Sequence, residues 1–170
     1  MYVNRRKRVP LNAGERMRLY GQGLGGAAFT DSLAQAIARF EGYNVAGSVA
    51  ARNNNPGNLR AGPGQTGTDA GGYAIFPDTA TGFAALDNQI NLNIGRGLSL
   101  DEFFAGKPGV YGGYAPAADS NVPTQYASTV AGWLGIDPSV PLSSISPTGF
   151  KTVPPHSSPA TEPHSTGKRS

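Results

Sequence analysis

Glu41 falls four residues after Ile37 and eight after Leu33, alongside the line Leu33, Ile37, Phe40 that marks one apolar face of a helix. A carboxyl projecting beside a buried stripe loses part of its solvation, and the negative end of the helix dipole lies next to it. Both effects raise its pKa. A carboxyl held protonated near neutral pH is what a general acid needs to break a glycosidic bond. The bland alternative is a side chain that frays into water at the helix end.

Few other groups compete for that role. The chain has no cysteine, and both histidines, His156 and His164, stand near its C-terminal end. Thiolate nucleophiles, Ser-His-Asp triads and His- or Cys-ligated metals are thereby excluded from the central segment. No metal or organic cofactor is called for. Between residues 31 and 146 the only other glutamate is Glu102, three residues after Ser99. That is the capping-box spacing, which gives Glu102 a structural role and leaves Glu41 without one.

The stretch Arg52-Asn53-Asn54-Asn55-Pro56-Gly57-Asn58-Leu59-Arg60 is the most unusual in the chain. Four Asn, a Pro and a Gly between two Arg make a turn crowded with amide donors and acceptors, suited to the hydroxyl and acetamido groups of a sugar. The same composition also fits a surface turn whose Asn side chains bond their own backbone.

Length and composition bound what can position these groups. A chain of 170 residues supports one domain with tails. Residues 1–30 carry Arg5, Arg6, Lys7, Arg8, Arg16 and Arg18 against Glu15, a net of +5, and end in a glycine-rich run that reads as an arm. Residues 147–170 are mainly Pro, Ser, Thr, Lys and His, net +2, and read as a disordered tail. Residues 31–146 hold most of the large apolar side chains. Their net charge is −4, from Arg39, Arg52, Arg60, Arg96 and Lys107 against seven Asp and two Glu. The high pI therefore belongs to the termini, and a basic-groove nucleic-acid enzyme is disfavoured.

Within 31–146, Thr30 or Asp31 is placed to cap a first helix and Gly42 to stop it. Residues 43–72 read as a long irregular lobe, and Tyr73–Phe76 as a strand of a small hairpin. Asp78 or Thr79 begins a helix striped with Phe83, Leu86, Ile90 and Ile94; Ser99 caps a short one; Pro123 opens a last one with Tyr126, Val130, Trp133 and Leu134 inside, closed by Gly135. The expectation is a mainly helical α+β domain of four helices and a hairpin. Gly21, Gly23 and Gly26 match G-x-G-x-x-G, but no strand precedes them, so they read as a flexible link and not as a dinucleotide site. No apolar run approaches the roughly 20 residues of a spanning helix, and the basic N-terminus lacks the apolar stretch of a secretory signal.

Taken in order, Ala-Ile-Ala-Arg-Phe-Glu41-Gly-Tyr, Ala51-Arg52-Asn-Asn-Asn-Pro-Gly-Asn-Leu-Arg60, Phe76-Pro-Asp-Thr-Ala-Thr-Gly82-Phe-Ala-Ala-Leu86, and Tyr114-Ala-Pro-Ala-Ala-Asp-Ser-Asn121 with Tyr126 resemble phage and bacterial lysozyme-like proteins of the lytic transglycosylase type. Virion-associated peptidoglycan-degrading enzymes are among these. The resemblance runs from about Leu33 to Ile136, and its specific part is the Asn-rich block. It implies a lysozyme-like fold in which Glu41 protonates the oxygen between N-acetylmuramic acid and N-acetylglucosamine. It further implies that Asn55 and Asn58 form a glycan-contacting turn, and that Tyr114, Asn121 and Tyr126 wall the cleft. Tyr126 fits a helix's inner face equally well. At Tyr114 many relatives carry Trp, though Tyr also stacks on sugar.

Whether water or the sugar's own 6-hydroxyl attacks turns on a second carboxylate, about 5 to 9.5 Å from the first in a two-carboxylate hydrolase. Asp69 is the candidate; Asp78 is better explained as a helix cap. The expected partner is the peptidoglycan strand, with other virion proteins as partners of the basic arm, and the expected location is a virion or the host cell envelope. Two other classes compete: a cell-wall-binding or virion structural protein that keeps the fold without turnover, and a nucleic-acid packaging factor acting through residues 1–30.

Overall fold

The apolar stripe expected to start at Thr30 or Asp31 belongs to a longer helix, α1 (Ala13–Phe40), in a computed structural model that describes residues 13–115 and 121–155, with side chains from residue 26 onward. Thr30 does not cap it; its hydroxyl instead donates to Asn91 Oδ1 at 3.1 Å. The Gly-rich run is helical and not a loose link. Each glycine costs only about 1 kcal/mol in a helix, and a helix already nucleated by packing of its C-terminal half extends without a second nucleation cost. The cluster Arg5, Arg6, Lys7, Arg8 and the tail beyond residue 155 lie outside the described residues.

Gly42, at φ +70°, stops α1, and the Tyr43 N–H reaches back to the Ala38 carbonyl at 2.9 Å. The lobe that follows is not wholly irregular. Ser48 accepts from the Ala51 N–H at 3.1 Å and caps a single helical turn, α2 (Val49–Arg52), too short to leave a periodic signal. Strands β1 (Gly67–Thr68) and β2 (Ala74–Ile75) pair antiparallel, Gly67 with Ile75 and Thr68 with Ala74.

Asp78 accepts from the Thr81 N–H at 2.7 Å and caps α3 (Thr79–Gly95). Ser99 and Glu102 form the expected capping box of α4 (Leu100–Ala105), and Glu102 also pairs with Lys107 at 2.9 Å. Pro123 opens α5 (Pro123–Leu134), and Gly135 ends it in the left-handed conformation. A 3₁₀ turn, Leu142–Ser144, closes the chain back on Leu98. The result is mainly helical with one two-stranded sheet, the expected class.

One core joins α1, α3, α4 and α5 through Leu33, Ile37, Leu86, Ile90, Phe103, Phe104, Val130 and Leu134. It reaches past the expected span of 31–146 at both ends. Phe29 is buried and meets Phe150 edge-on at 5.2 Å, Val153 is buried, and the Lys151 N–H bonds the Leu134 carbonyl at 2.7 Å. Burial of two apolar side chains against the core holds an otherwise polar stretch in place.

Gly82 is the tightest junction between this core and the lobe. A Cβ there would overlap the Asn54 carbonyl oxygen and stand 2.9 Å from Pro56 Cδ, so only glycine lets α3 lie against the Asn-rich turn. We expect Gly82→Ala to lower unfolding free energy by about 1–3 kcal/mol or more, the usual range for overpacking. Gly132→Ala, inside α5 with open space around it, should instead stabilise by roughly 0.5–1 kcal/mol. Denaturant melts of the two variants check both signs.

Candidate functional site

Glu41 sits where α1 ends, its N–H still bonded to the Ile37 carbonyl at 2.9 Å, and the turn at Gly42 leaves its side chain directed toward the lobe. Both carboxyl oxygens have a donor. Asn58 Nδ2 lies 2.7 Å from Oε2, and the Tyr126 hydroxyl lies 2.5 Å from Oε1. Burial raises the Glu41 pKa above the ordinary 4.5; the hydrogen bonds from Tyr126 and Asn58 pull the other way without cancelling it. The helix end, the Asn turn and α5 thus converge on one half-buried carboxyl.

The Asn-rich block divides its labour. Asn58 is held at φ +46° and Asn54 at φ +50°, a backbone region Asn tolerates better than most residues. Asn54 Nδ2 bonds the Phe76 carbonyl at 3.2 Å, and Asn53 Nδ2 bonds Asp69 Oδ2 at 2.7 Å. Asn55 does not line the cleft beside Glu41. It is fully buried, its Nδ2 donates to the Leu59 and Ala74 carbonyls and its Oδ1 accepts from the Leu59 N–H, each at 2.9 Å. Its amide replaces a strand partner for the lobe, so only Asn58 of the expected pair faces the site.

Tyr126 takes the inner-face position and does not line the cleft. Its ring is stacked between Phe40 at 3.8 Å and Phe104 at 4.0 Å, while its hydroxyl reaches Glu41. Tyr114 packs on Phe103 at 5.1 Å, and its hydroxyl donates to the Gly57 carbonyl, fastening the Asn turn to the aromatic cluster. Burial pushes both phenols well above their usual pKa, so each is a neutral donor.

These groups open onto a cleft of about 380 Å³. Of the residues named from the sequence, Glu41, Asn58, Tyr114 and Asn121 line it and Asn55 and Tyr126 do not; Arg60, Tyr73, Gln89 and Tyr111, which the sequence did not single out, line it as well. Gln89 and Tyr111 bond each other at 2.8 Å. Their signal was available: Gln89 is a polar residue beside Ile90 on α3, and Tyr111 lies in the glycine-rich loop between α4 and α5.

Asp69 is not a second acid for the cleft. It is absent from the lining, and its carboxylate accepts from Asn53 and from the Gly71 and Tyr73 N–H groups, both at 2.9 Å, which hold its pKa below the usual value. It builds the hairpin turn. Asp78 is likewise committed to its cap. Among the described residues lining the cleft, Glu41 is the one carboxylate. No group of three or more His, Cys, Asp or Glu among the described residues is arranged to hold a metal ion. No family model, curated protein or solved structure matches the chain.

The raised pKa makes a stability prediction. A folded state that prefers the protonated carboxyl loses stability as pH rises from 4.5 through the folded pKa, and Gln at this position carries no such penalty. Glu41→Gln should therefore melt at a higher temperature than the parent at neutral pH. The difference should close once the pH falls below the ordinary carboxyl range.

Proposed function

We propose that the protein cleaves the glycan strand of peptidoglycan at the bond between N-acetylmuramic acid and N-acetylglucosamine, using Glu41 alone as acid and then base. The observation that carries this reading is a protonatable, half-buried carboxyl, steered by Asn58 and Tyr126, at the wall of a cleft lined by amide and phenol groups. Such a lining suits a sugar chain, whose hydroxyl and acetamido groups bond amides and whose ring faces stack on aromatics. The lysozyme-like resemblance of the Glu41 segment and the Asn block supports the same assignment.

In the proposed reaction Glu41 gives its proton to the glycosidic oxygen as the C1–O bond breaks, leaving positive charge on the sugar ring. The resulting carboxylate then takes the proton of the same sugar's 6-hydroxyl as that oxygen bonds C1. Glu41 is protonated again, and a 1,6-anhydro end is formed without consuming water. The hydrogen bonds from Asn58 and Tyr126 stabilise the carboxylate between the two steps. The absence of a second carboxylate among the described lining residues favours this route over a two-carboxylate hydrolysis. Lysozyme-like architecture, virion association and a role in phage entry or lysis belong to the same proposal.

Mass analysis of digested peptidoglycan separates the outcomes, since anhydro and reducing ends differ by one water. Anhydro ends are expected, and Glu41→Gln should reduce their formation at least about a hundredfold. Binding without turnover in the parent protein would favour a cell-wall-binding module instead. Tyr126→Phe keeps the ring stack and removes one donor to the carboxylate. It should therefore move the alkaline limb of the pH–rate profile to higher pH; a shift to lower pH contradicts the assignment.

A further inference from the structure

The hairpin, which places no acid in the cleft, places a cation there. Arg60 lines the same cleft as Glu41, and its guanidinium lies 4.2 Å from the centre of the Tyr73 ring. One Nη1–H bonds the Gly71 carbonyl at 2.5 Å. Both supports are fixed in turn by Asp69, which accepts from the Gly71 and Tyr73 N–H groups. Gly72 leaves the approach open: at φ +79° it has no Cβ, and one there would stand 3.3 Å from Nη1. Gly71 and Tyr73, fixed by Asp69, thus hold one guanidinium in place.

Among the described residues no carboxylate pairs with it. The ion pair found among the described residues joins Lys107 and Glu102, and the Glu41 oxygens are taken by Asn58 and Tyr126. Asp69 spends its oxygens on Asn53 and the turn backbone. A guanidinium has five N–H donors in a planar fork; among the described residues this one uses a single donor on protein and stacks one face on an aromatic ring, which leaves donors for a ligand. A guanidinium already held by a ring and a carbonyl loses less entropy when a ligand arrives than a free one.

We propose that Arg60 is a specificity-determining residue that binds a carboxylate carried by the glycan substrate, distinguishing a strand with lactyl-peptide substituents from a neutral polymer of N-acetylglucosamine. This rests on the glycan reading above and adds which glycan is chosen. The carboxylate takes the two free N–H groups of the fork edge, and the sugar to which it is attached then lies along the cleft toward Glu41. Neutral chitin strands fill the amide- and phenol-lined part of the cleft and leave Arg60 solvated. Arg60 is exposed at the cleft edge, so its contribution should weaken as salt is added.

Binding measured by calorimetry in a Glu41→Gln background, where no strand is cut, tests this directly. The two ligands are solubilised peptidoglycan strands bearing stem peptides and chitohexaose. Adding Arg60→Gln should weaken the peptide-bearing strand at least about tenfold, the size of one charge-assisted hydrogen bond. Chitohexaose should change less than about twofold, which also reports that the cleft is intact. Arg60→Lys should fall between, because it keeps the charge and loses the fork. Equal losses for both ligands, or none for either, would overturn the role of Arg60 while leaving the glycan reading standing. Binding of neither ligand to the protein with Arg60 intact would remove the glycan reading and this inference with it.

Discussion

An ionisable carboxyl at a helix end, withdrawn from water and yet offered two donors, is the constraint around which the structure is arranged. Burial alone would make Glu41 a costly neutral group, and donors alone would make it an ordinary carboxylate. The balance requires α1 to end at Gly42, the Asn turn to present Asn58 in a left-handed conformation, and α5 to carry Tyr126 from the opposite side. A shift of any of these three elements separates the carboxyl from a donor.

The surrounding packing explains why those elements stay in register. Gly82 allows α3 to touch the turn, Asn55 joins the turn to β2, and the Tyr114 hydroxyl ties Gly57 to the aromatic cluster. The same cluster continues as a stack through Phe40, Tyr126 and Phe104, so the donor hydroxyl is anchored in the core and not in a loop. Precision at the site is bought with polar and small residues at its back, where a sequence of large apolar groups would leave no room.

Much of this was legible in the sequence. Asp78, Ser99 with Glu102, Pro123 and Gly135 announced their helices, because caps act through local hydrogen bonds that residue type and spacing encode. Glu41 stood out because its position on an apolar stripe is a matter of period. The Asn block was recognised as unusual, but an amide's direction depends on tertiary contacts, so Asn55 and Asn58 were indistinguishable until one proved buried. Asp69 was open as a second carboxylate for the same reason: a carboxylate in a loop reads as free until the backbone curls around it. The ends of the folded unit were misjudged at Phe29 and Val153, single apolar residues in polar or glycine-rich surroundings whose burial depends on distant partners.

The central claim is that burial raises the Glu41 pKa and so favours the protonated form that an acid catalyst needs. A carbon-13 NMR titration of the Glu41 side-chain carboxyl in the parent protein measures this without reference to any substrate. The account predicts a midpoint above the ordinary glutamate value of 4.5; a midpoint at or below that value would contradict it.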